Sequence, residues 1–312
     1  MGKYAFGVDI GGTTVKMGLF EADGNLLDKW EIPTRTENGG EAILPDVAGS
    51  IQKKMEEKGI ERADIIGVGI GAPGPIDGDG VVHVAVNLGW GVFNINETLS
   101  KLLDGMQVKA GNDANVAALG EMWKGGGQGY NNMVAVTLGT GVGGGIINNG
   151  EILSGAVGAG GEIGHIHVED AETESCNCKN KGCLEQYASA TGIVRLAKRK
   201  LAESSEESVL RKGKISAKTV FDAVKAGDQV ACQIAEQFGY YLGKGLAAVA
   251  GVVNPEAFVI GGGVSKAGEV IFKYIKPYYE EYVFHAGRDA EFKLAMLGND
   301  AGIYGAAKMV LD

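Results

Sequence analysis

Val8–Gly24 reads VDIGGTTVKMGLFEADG, and the same grammar returns at Val136–Gly150 as VTLGTGVGGGIINNG. Each stretch is an apolar run, a glycine and threonine loop, a second apolar run, and then an Asp-Gly or Asn-Gly pair that suits a tight hairpin. The first predicts strands over Tyr4–Ile10 and Val15–Phe20, turning at Asp23-Gly24 into a third strand at Leu26–Ile32. The second predicts strands over Met133–Leu138 and Gly143–Ile147 with a turn at Asn149-Gly150. Another echo is closer in its letters: GNDANVAALGEM at 111–122 against GNDAGIYGAAKM at 298–309, each opening a helical pattern. Two different elements, each repeated once, indicate duplicated domains rather than a short-period solenoid.

Further elements fall between these landmarks. A helix is expected over Ala42–Lys58, a buried strand over Ile65–Ile70 leading into the Gly71–Pro75 loop, and a helix over Ala114–Trp123 capped by Asn112 or Asp113. Residues 191–250 read as helices joined by a charged surface segment, and Phe258–Ile260 as a last strand before the glycine loop at 261–263.

Glycine is the compositional outlier, 52 of 312 residues, gathered in short clusters after apolar runs where backbone meets a ligand closely. Two clusters, Gly69–Gly74 and Gly139–Gly144, match G-x-G-x-x-G, but neither is followed by the helix a dinucleotide site requires. No Walker A loop occurs. What remains is a pair of strand–loop–strand hairpins whose N–H groups and threonine hydroxyls suit a polyphosphate chain, or else two plain tight turns. The net charge of −10 and the lack of a basic patch argue against nucleic acid as a partner. No run of about 18 apolar residues offers a membrane span, and the Met1–Phe6 opening is too short and polar for a signal peptide, so a cytoplasmic enzyme is expected.

Residues 161–185, GEIGHIHVEDAETESCNCKNKGCLE, hold three of the four cysteines, Cys176, Cys178 and Cys183, with His165 and His167 upstream. In such a chain clustered cysteines bind metal or do redox chemistry more often than they form disulfides. A tetrahedral Zn²⁺ with three sulfurs and one nitrogen is the leading reading. Redox chemistry is the weaker one, because no C-x-x-C pair is present, and free surface thiols are the third. Either histidine could supply the nitrogen. Glu162 and Glu185 bracket the segment without being needed as ligands, so the metal is expected to hold something else in place.

These residues together resemble the sugar-kinase, heat-shock-protein and actin superfamily. Asp9-Ile10-Gly11-Gly12-Thr13-Thr14-Val15-Lys16 is similar to its first phosphate motif, Thr137–Gly143 to its second, and Gly261-Gly262-Gly263 to its adenosine-side loop. GGEIGH followed by C-x-C-x4-C-x-E resembles the signature of the ROK family of bacterial sugar kinases, and the resemblance runs end to end. NLGW at 87–90 and NDANVAALGEMWKG at 112–125 look most like its glucose-phosphorylating members.

The resemblance implies a two-lobed α/β actin-like (ribonuclease H-like) ATPase fold with duplicated βββαβαβα domains. The first lobe is expected to span 1–112 plus a returning C-terminal helix at 299–312, and the larger lobe 113–298, with a cleft closing on sugar. The implied activity is transfer of the γ-phosphate of ATP to the 6-hydroxyl of glucose. Its rivals are another hexose or N-acetylhexosamine kinase, or a non-catalytic sugar-responsive regulator. The latter needs a DNA-reading module, for which a first strand starting near residue 4 leaves no room.

Asp113 is the expected general base, orienting the hydroxyl and taking its proton late. Asp9 is expected to hold Mg²⁺ through water. Gly11, Gly12, Thr13, Thr14, Thr140 and Gly141 would hydrogen-bond phosphate oxygens, and Gly261, Gly262 and Gly263 would border the adenosine. Lys16 would support Asp9 or a phosphate, or simply be exposed. Asn112, Asp113, Glu162, His165 and Glu185 would contact sugar hydroxyls, and His165, Cys176, Cys178 and Cys183 would bind Zn²⁺. One letter departs from the family: Lys179 stands where glycine usually follows the second cysteine. If that position needs positive φ, lysine costs roughly 1 kcal/mol unless Asn180 takes the left-handed turn instead. The family also implies a homodimer, and polyphosphate stays open as an alternative donor.

Overall fold

The opening grammar folds as read. In the computed structural model, which describes residues 3–311, β1 (Tyr4–Ile10), β2 (Thr14–Glu21) and β3 (Leu26–Pro33) form an antiparallel meander. Met1, Gly2 and Asp312, which the expected first lobe and opening segment include, lie outside the described residues. The chain continues through helix α1 (Ile43–Lys58), strand β4 (Ile65–Ala72), helix α2 (Ile95–Leu102), strand β5 (Val108–Asn112) and helix α3 (Asp113–Lys124). The order β3-β2-β1-β4-β5 puts β1 and β4 in the interior, and β1, β4 and β5 run parallel. Strands buried on both faces read as unbroken apolar runs, as β1 and β4 do. Helix α2 was not foreseen; Asn94 caps it by accepting from the Glu97 N–H.

Three glycines explain how the C-terminal helix (Ala301–Leu311) reaches this sheet. Gly18, Gly7 and Gly69 lie side by side across β2, β1 and β4. A Cβ on Gly7 would overlap the Ile303 carbonyl, and one on Gly69 the Ala306 carbonyl. The helix therefore lies in a trench with no side chain beneath it. It also crosses α3, where Gly305 meets the Val116 carbonyl and Gly120 the Ala301 carbonyl. Gly69→Ala is expected to destabilise the fold by at least about 3 kcal/mol, because the obstacle is backbone and cannot rotate away. Urea denaturation followed by circular dichroism measures this, and a loss below 1 kcal/mol would contradict the trench.

The second sheet has the order β8-β7-β6-β9-β10, built from β6 (Met133–Leu138), β7 (Val142–Asn148), β8 (Glu151–Ile152), β9 (Ala257–Gly261) and β10 (Glu291–Leu294). β6, β9 and β10 run parallel, while β7 and β8 form a hairpin through Asn149 (φ 53°) and Gly150 (φ 83°), the two left-handed residues that such a turn needs. Between β8 and β9 lie helices α4 (Glu185–Ala188), α5 (Ala190–Glu203), α6 (Ala217–Lys225) and α7 (Gln229–Val253), and helix α8 (Val270–Tyr282) follows β9.

By their contacts, Met1–Gly129, Gly145–Gly161 and Leu297–Asp312 form one compact unit, and Tyr130–Gly144 with Glu162–Met296 form the other. The first unit thus takes in α3 and the outer part of the β7–β8 hairpin, which the expected boundary at 112/113 had placed beyond it. Close packing is the reason. Helix α3 is locked to the C-terminal helix by Gly120 and Gly305, and Gly145 has no room for a Cβ beside Ala118 and the Ala114 carbonyl. Among the described residues, no helix is long and apolar enough to cross a membrane.

Candidate active site

In the first unit the Gly11–Thr13 loop is held at both ends. The Gly11 N–H donates to the Thr14 carbonyl at 3.0 Å, and Thr34 Oγ1 donates to the Gly11 carbonyl at 2.7 Å. Asp9 ends β1 opposite Lys16. Burial pushes its carboxyl up to about 6; the Lys16 charge opposes that shift and the Asp113 charge adds to it. A Cβ on Gly302 would fall 2.5 Å from Asp9 Cγ, so only glycine leaves this carboxyl its place. Lys16 donates through Nζ to the Asn299 carbonyl at 3.1 Å, which ties it to the C-terminal segment.

The start of α3 separates two roles that the letters left joined. Asn112 is the cap: its Oδ1 accepts from the Ala114 and Asn115 N–H groups, at 3.0 and 3.2 Å. Its Nδ2 donates to the Gly74 carbonyl at 3.0 Å, leaving one amide hydrogen unused by these bonds. Asp113 is therefore not needed for capping. Its Oδ1 accepts from the Ala114 N–H at 2.8 Å, and burial raises its pKa against the lowering effect of that bond.

In the second unit the Gly139–Gly141 loop turns between β6 and β7, with the Gly139 N–H donating to the Gly141 carbonyl at 3.0 Å. Gly262, in the 261–263 loop expected on the adenosine side, has φ 84° and lies so close to Leu138 that a Cβ would stand 2.5 Å from its carbonyl oxygen. A cavity of about 690 Å³ opens beside Thr140, with Val194, Ile215 and Ala217 among its apolar lining and the charged Glu174, Arg195, Lys198, Arg199 and Lys214 also facing it.

The cysteine segment brings His165, Cys176, Cys178 and Cys183 together, their ligand atoms all within 4.8 Å of one another. Cys176 Sγ lies 3.7 Å from His165 Nδ1, and Cys178 Sγ lies 3.6 Å from Cys183 Sγ. Bonds of about 2.3 Å to sulfur and about 2.1 Å to nitrogen in a tetrahedron require edges of roughly 3.6–3.8 Å, so the donor set fits zinc. His167 is out of contention, because its Nδ1 faces the Lys181 carbonyl at 2.9 Å and its Nε2 the Asp170 carboxylate at 2.8 Å. His165 turns Nδ1 inward and leaves Nε2 4.0 Å from the exposed Glu162 carboxylate. Glu185 stands between this group and the phosphate loop. Its Oε1 accepts from Cys176 Sγ at 2.9 Å, and a Cβ on Gly141 would be 2.6 Å from its Oε2.

Lys179 does occupy the left-handed region, at φ 76°, and Asn180 does not relieve it. The turn is closed by the Lys179 N–H on the Cys176 carbonyl (2.9 Å) and the Cys176 N–H on the Asn180 carbonyl (2.7 Å). Lys179→Gly removes about 1–2 kcal/mol of left-handed strain and adds back roughly 0.5–1 kcal/mol of unfolded-chain entropy. A gain of about 0.5–1 kcal/mol in stability is expected. Thermal melts of the pair check it, and a destabilised variant would show that the lysine makes contacts that outweigh its strain.

Several supports were not legible in advance. Glu172 is buried and accepts from Tyr187 at 2.5 Å and from Arg199 at 3.3 Å, with Arg195 also paired to it. Burial works against its ionisation, but these donors hold the carboxyl down at about 2. Ser189 and Thr191 at the start of α5 were also missed. The serine there was a readable cap signal, since its Oγ accepts from the Gly192 N–H, but nothing local announces what the threonine grips.

Comparison with known proteins agrees with this arrangement along the whole chain. A glucokinase of Halalkalibacterium halodurans is 46% identical over 314 residues, covering 99% of this chain and 95% of that one. The crystal structure of a ROK family glucokinase from Streptomyces griseus in complex with glucose and AMPPNP is 33% identical, covers 98% of both chains and superposes with a TM-score of 0.73. The ROK hexokinase from Thermus thermophilus is 31% identical, covers 97% of this chain and 96% of that one, and has a TM-score of 0.80. Relatives of this kind share the actin-like ATPase fold expected from the two phosphate motifs. The family model for ROK proteins matches residues 5–312, so this chain belongs to the ROK family.

Proposed function

We propose that this protein is a glucokinase, transferring the γ-phosphoryl group of Mg-ATP to the 6-hydroxyl of D-glucose. The observation that carries the reading is the division of labour at the start of α3, where Asn112 caps the helix and leaves a half-buried Asp113 available as a base. The sugar hydroxyl oxygen attacks the γ-phosphorus as the bond to the β-phosphate oxygen breaks. ADP leaves with that electron pair, and the hydroxyl proton passes to Asp113. A primary hydroxyl is too weak an acid to ionise first, so the carboxylate orients it and accepts the proton late.

Glu162, His165 and Glu185 are assigned to the remaining sugar hydroxyls, with Asn112 contributing its unused amide hydrogen. Carboxylates suit vicinal diols, and a site built to bond each hydroxyl rejects analogues lacking one. Gly11, Gly12, Thr13, Thr14, Thr140 and Gly141 are assigned to the phosphates, and Gly261, Gly262 and Gly263 to the adenosine side. Asp9, whose half-buried carboxyl is held up by desolvation, is assigned to the hydration shell of the Mg²⁺ that arrives with ATP. His165, Cys176, Cys178 and Cys183 would hold Zn²⁺, which supplies fixed bonds that orient the loop and takes no part in transfer. The family resemblance supports a cytoplasmic homodimer, which light scattering on the purified protein checks.

A coupled assay with glucose, mannose, fructose and N-acetylglucosamine, each offered with ATP and with polyphosphate, tests the reading. Glucose with ATP is expected to give the highest kcat/KM. A higher value for any other pair replaces the assignment, and no turnover with any pair leaves the regulator as the surviving alternative.

A further inference from the structure

The first turn of α5 ties the residue assigned to the sugar to the loop assigned to the phosphates. Ser189 Oγ donates to the Glu185 carbonyl at 2.6 Å, Thr191 Oγ1 donates to the Thr140 carbonyl at 2.7 Å, and the two hydroxyls are 2.9 Å apart. Beside them the Ala190 N–H donates to the Gly139 carbonyl at 2.8 Å. Two consecutive carbonyls of the phosphate loop are thus gripped by two consecutive residues of the helix. Each hydroxyl carries one hydrogen, so two hydrogens serve three contacts, and one contact always lacks its hydrogen. Unlike an N–H group, a hydroxyl can be re-aimed without moving the backbone. The grip on Thr140 is therefore sensitive to how firmly Glu185 is held. The Glu185 carboxylate lies against Gly141 as well, which gives the same two segments a second point of contact.

We propose that Thr191 is a positioning residue that couples the two substrates. By fixing the Thr140 carbonyl it orients the N–H groups of the Gly139–Gly141 loop, and a sugar that immobilises Glu185 tightens that grip through Ser189. The inference rests on the assignment of Glu185 to sugar and Thr140 to phosphate. Its consequence is that glucose strengthens nucleotide binding and that the strengthening passes through one exposed hydroxyl.

Calorimetric titration of Mg-AMPPNP with and without saturating glucose tests this in wild type, Thr191→Val and Thr191→Ser. Valine keeps the shape and removes the hydroxyl, and serine restores it. Wild type is expected to bind the nucleotide at least about 5-fold more tightly with glucose present, the lower end of ordinary coupling between sites. Thr191→Val should lose most of that factor while its melting temperature and glucose affinity stay near wild type, and Thr191→Ser should recover it. An undiminished factor in Thr191→Val overturns the linkage. So does a nucleotide affinity weakened equally with and without glucose, which marks a direct contact. A wild-type protein that binds no glucose removes the site assignment itself, a result distinct from either.

Discussion

Asp113→Asn is expected to lower kcat for glucose phosphorylation by about 1000-fold, within the range that a positioned general base contributes. The substitution keeps the size of the side chain and its acceptor oxygen for the Ala114 N–H, and the cap is untouched because it belongs to Asn112. Melting temperature and glucose affinity should therefore stay close to wild type, with the loss falling on kcat rather than KM. An amide is a very poor proton acceptor, so no residual pH dependence from this group should survive. Near-normal turnover in the variant would assign the proton to another acceptor. An equal loss of kcat and melting temperature would instead make Asp113 a structural residue. Asn112→Ala is the informative control, because it removes the cap: about 1 kcal/mol of stability should go, with a smaller effect on kcat.

Removing the metal is the second large effect. If the cluster holds zinc as proposed, stripping it with a strong chelator, or replacing the partly exposed Cys178 by serine, is expected to weaken glucose binding by about 100-fold or more, since the segment 161–185 would lose the bonds proposed to fix Glu162 and Glu185. Nucleotide affinity measured without glucose should change far less. The path of damage is short. Glu185 stands 2.9 Å from Cys176 Sγ, and His165 turns one nitrogen toward the cysteines while the other faces Glu162. Metal content and glucose affinity should be read on the same sample, and re-addition of Zn²⁺ should restore the stripped protein. A glucose affinity that survives complete removal would reduce the cluster to a fold element.

Much of this site was legible from local pattern. A glycine and threonine loop between two apolar runs can be read from the letters because strand period and turn chemistry are properties of neighbours in the chain. The spacing of Cys176, Cys178 and Cys183 restricts the loop enough to indicate a metal by itself. Other features resisted that reading for a common reason. Whether Asn112 or Asp113 caps α3 depends on which side chain turns back to the N–H groups of the next turn, and the cap's other bond goes to Gly74, 38 positions away. In a strand, alternation would put His165 and His167 on the same face, but His165 ends a short 3-10 turn, Ile163–His165. Only the packing of Lys181 and Asp170 around His167 takes it out of contention. The boundary expected at 112/113 failed to include α3 in the first unit because glycine contacts with a helix near residue 305 outweigh chain order.

By itself, then, the order of residues determined the two hairpins, the glycine and threonine loops between their strands, the cysteine cluster and the family that combines them, all of which arise from residues a few positions apart. The tertiary structure decided the rest: that Asn112 and not Asp113 caps α3, which histidine faces the cysteines, that Lys179 carries the strained turn, and that Thr191 grips a carbonyl 51 positions away. Those outcomes depend on contacts between distant segments. Backbone period and turn propensity carry no information about them until the chain has closed on itself.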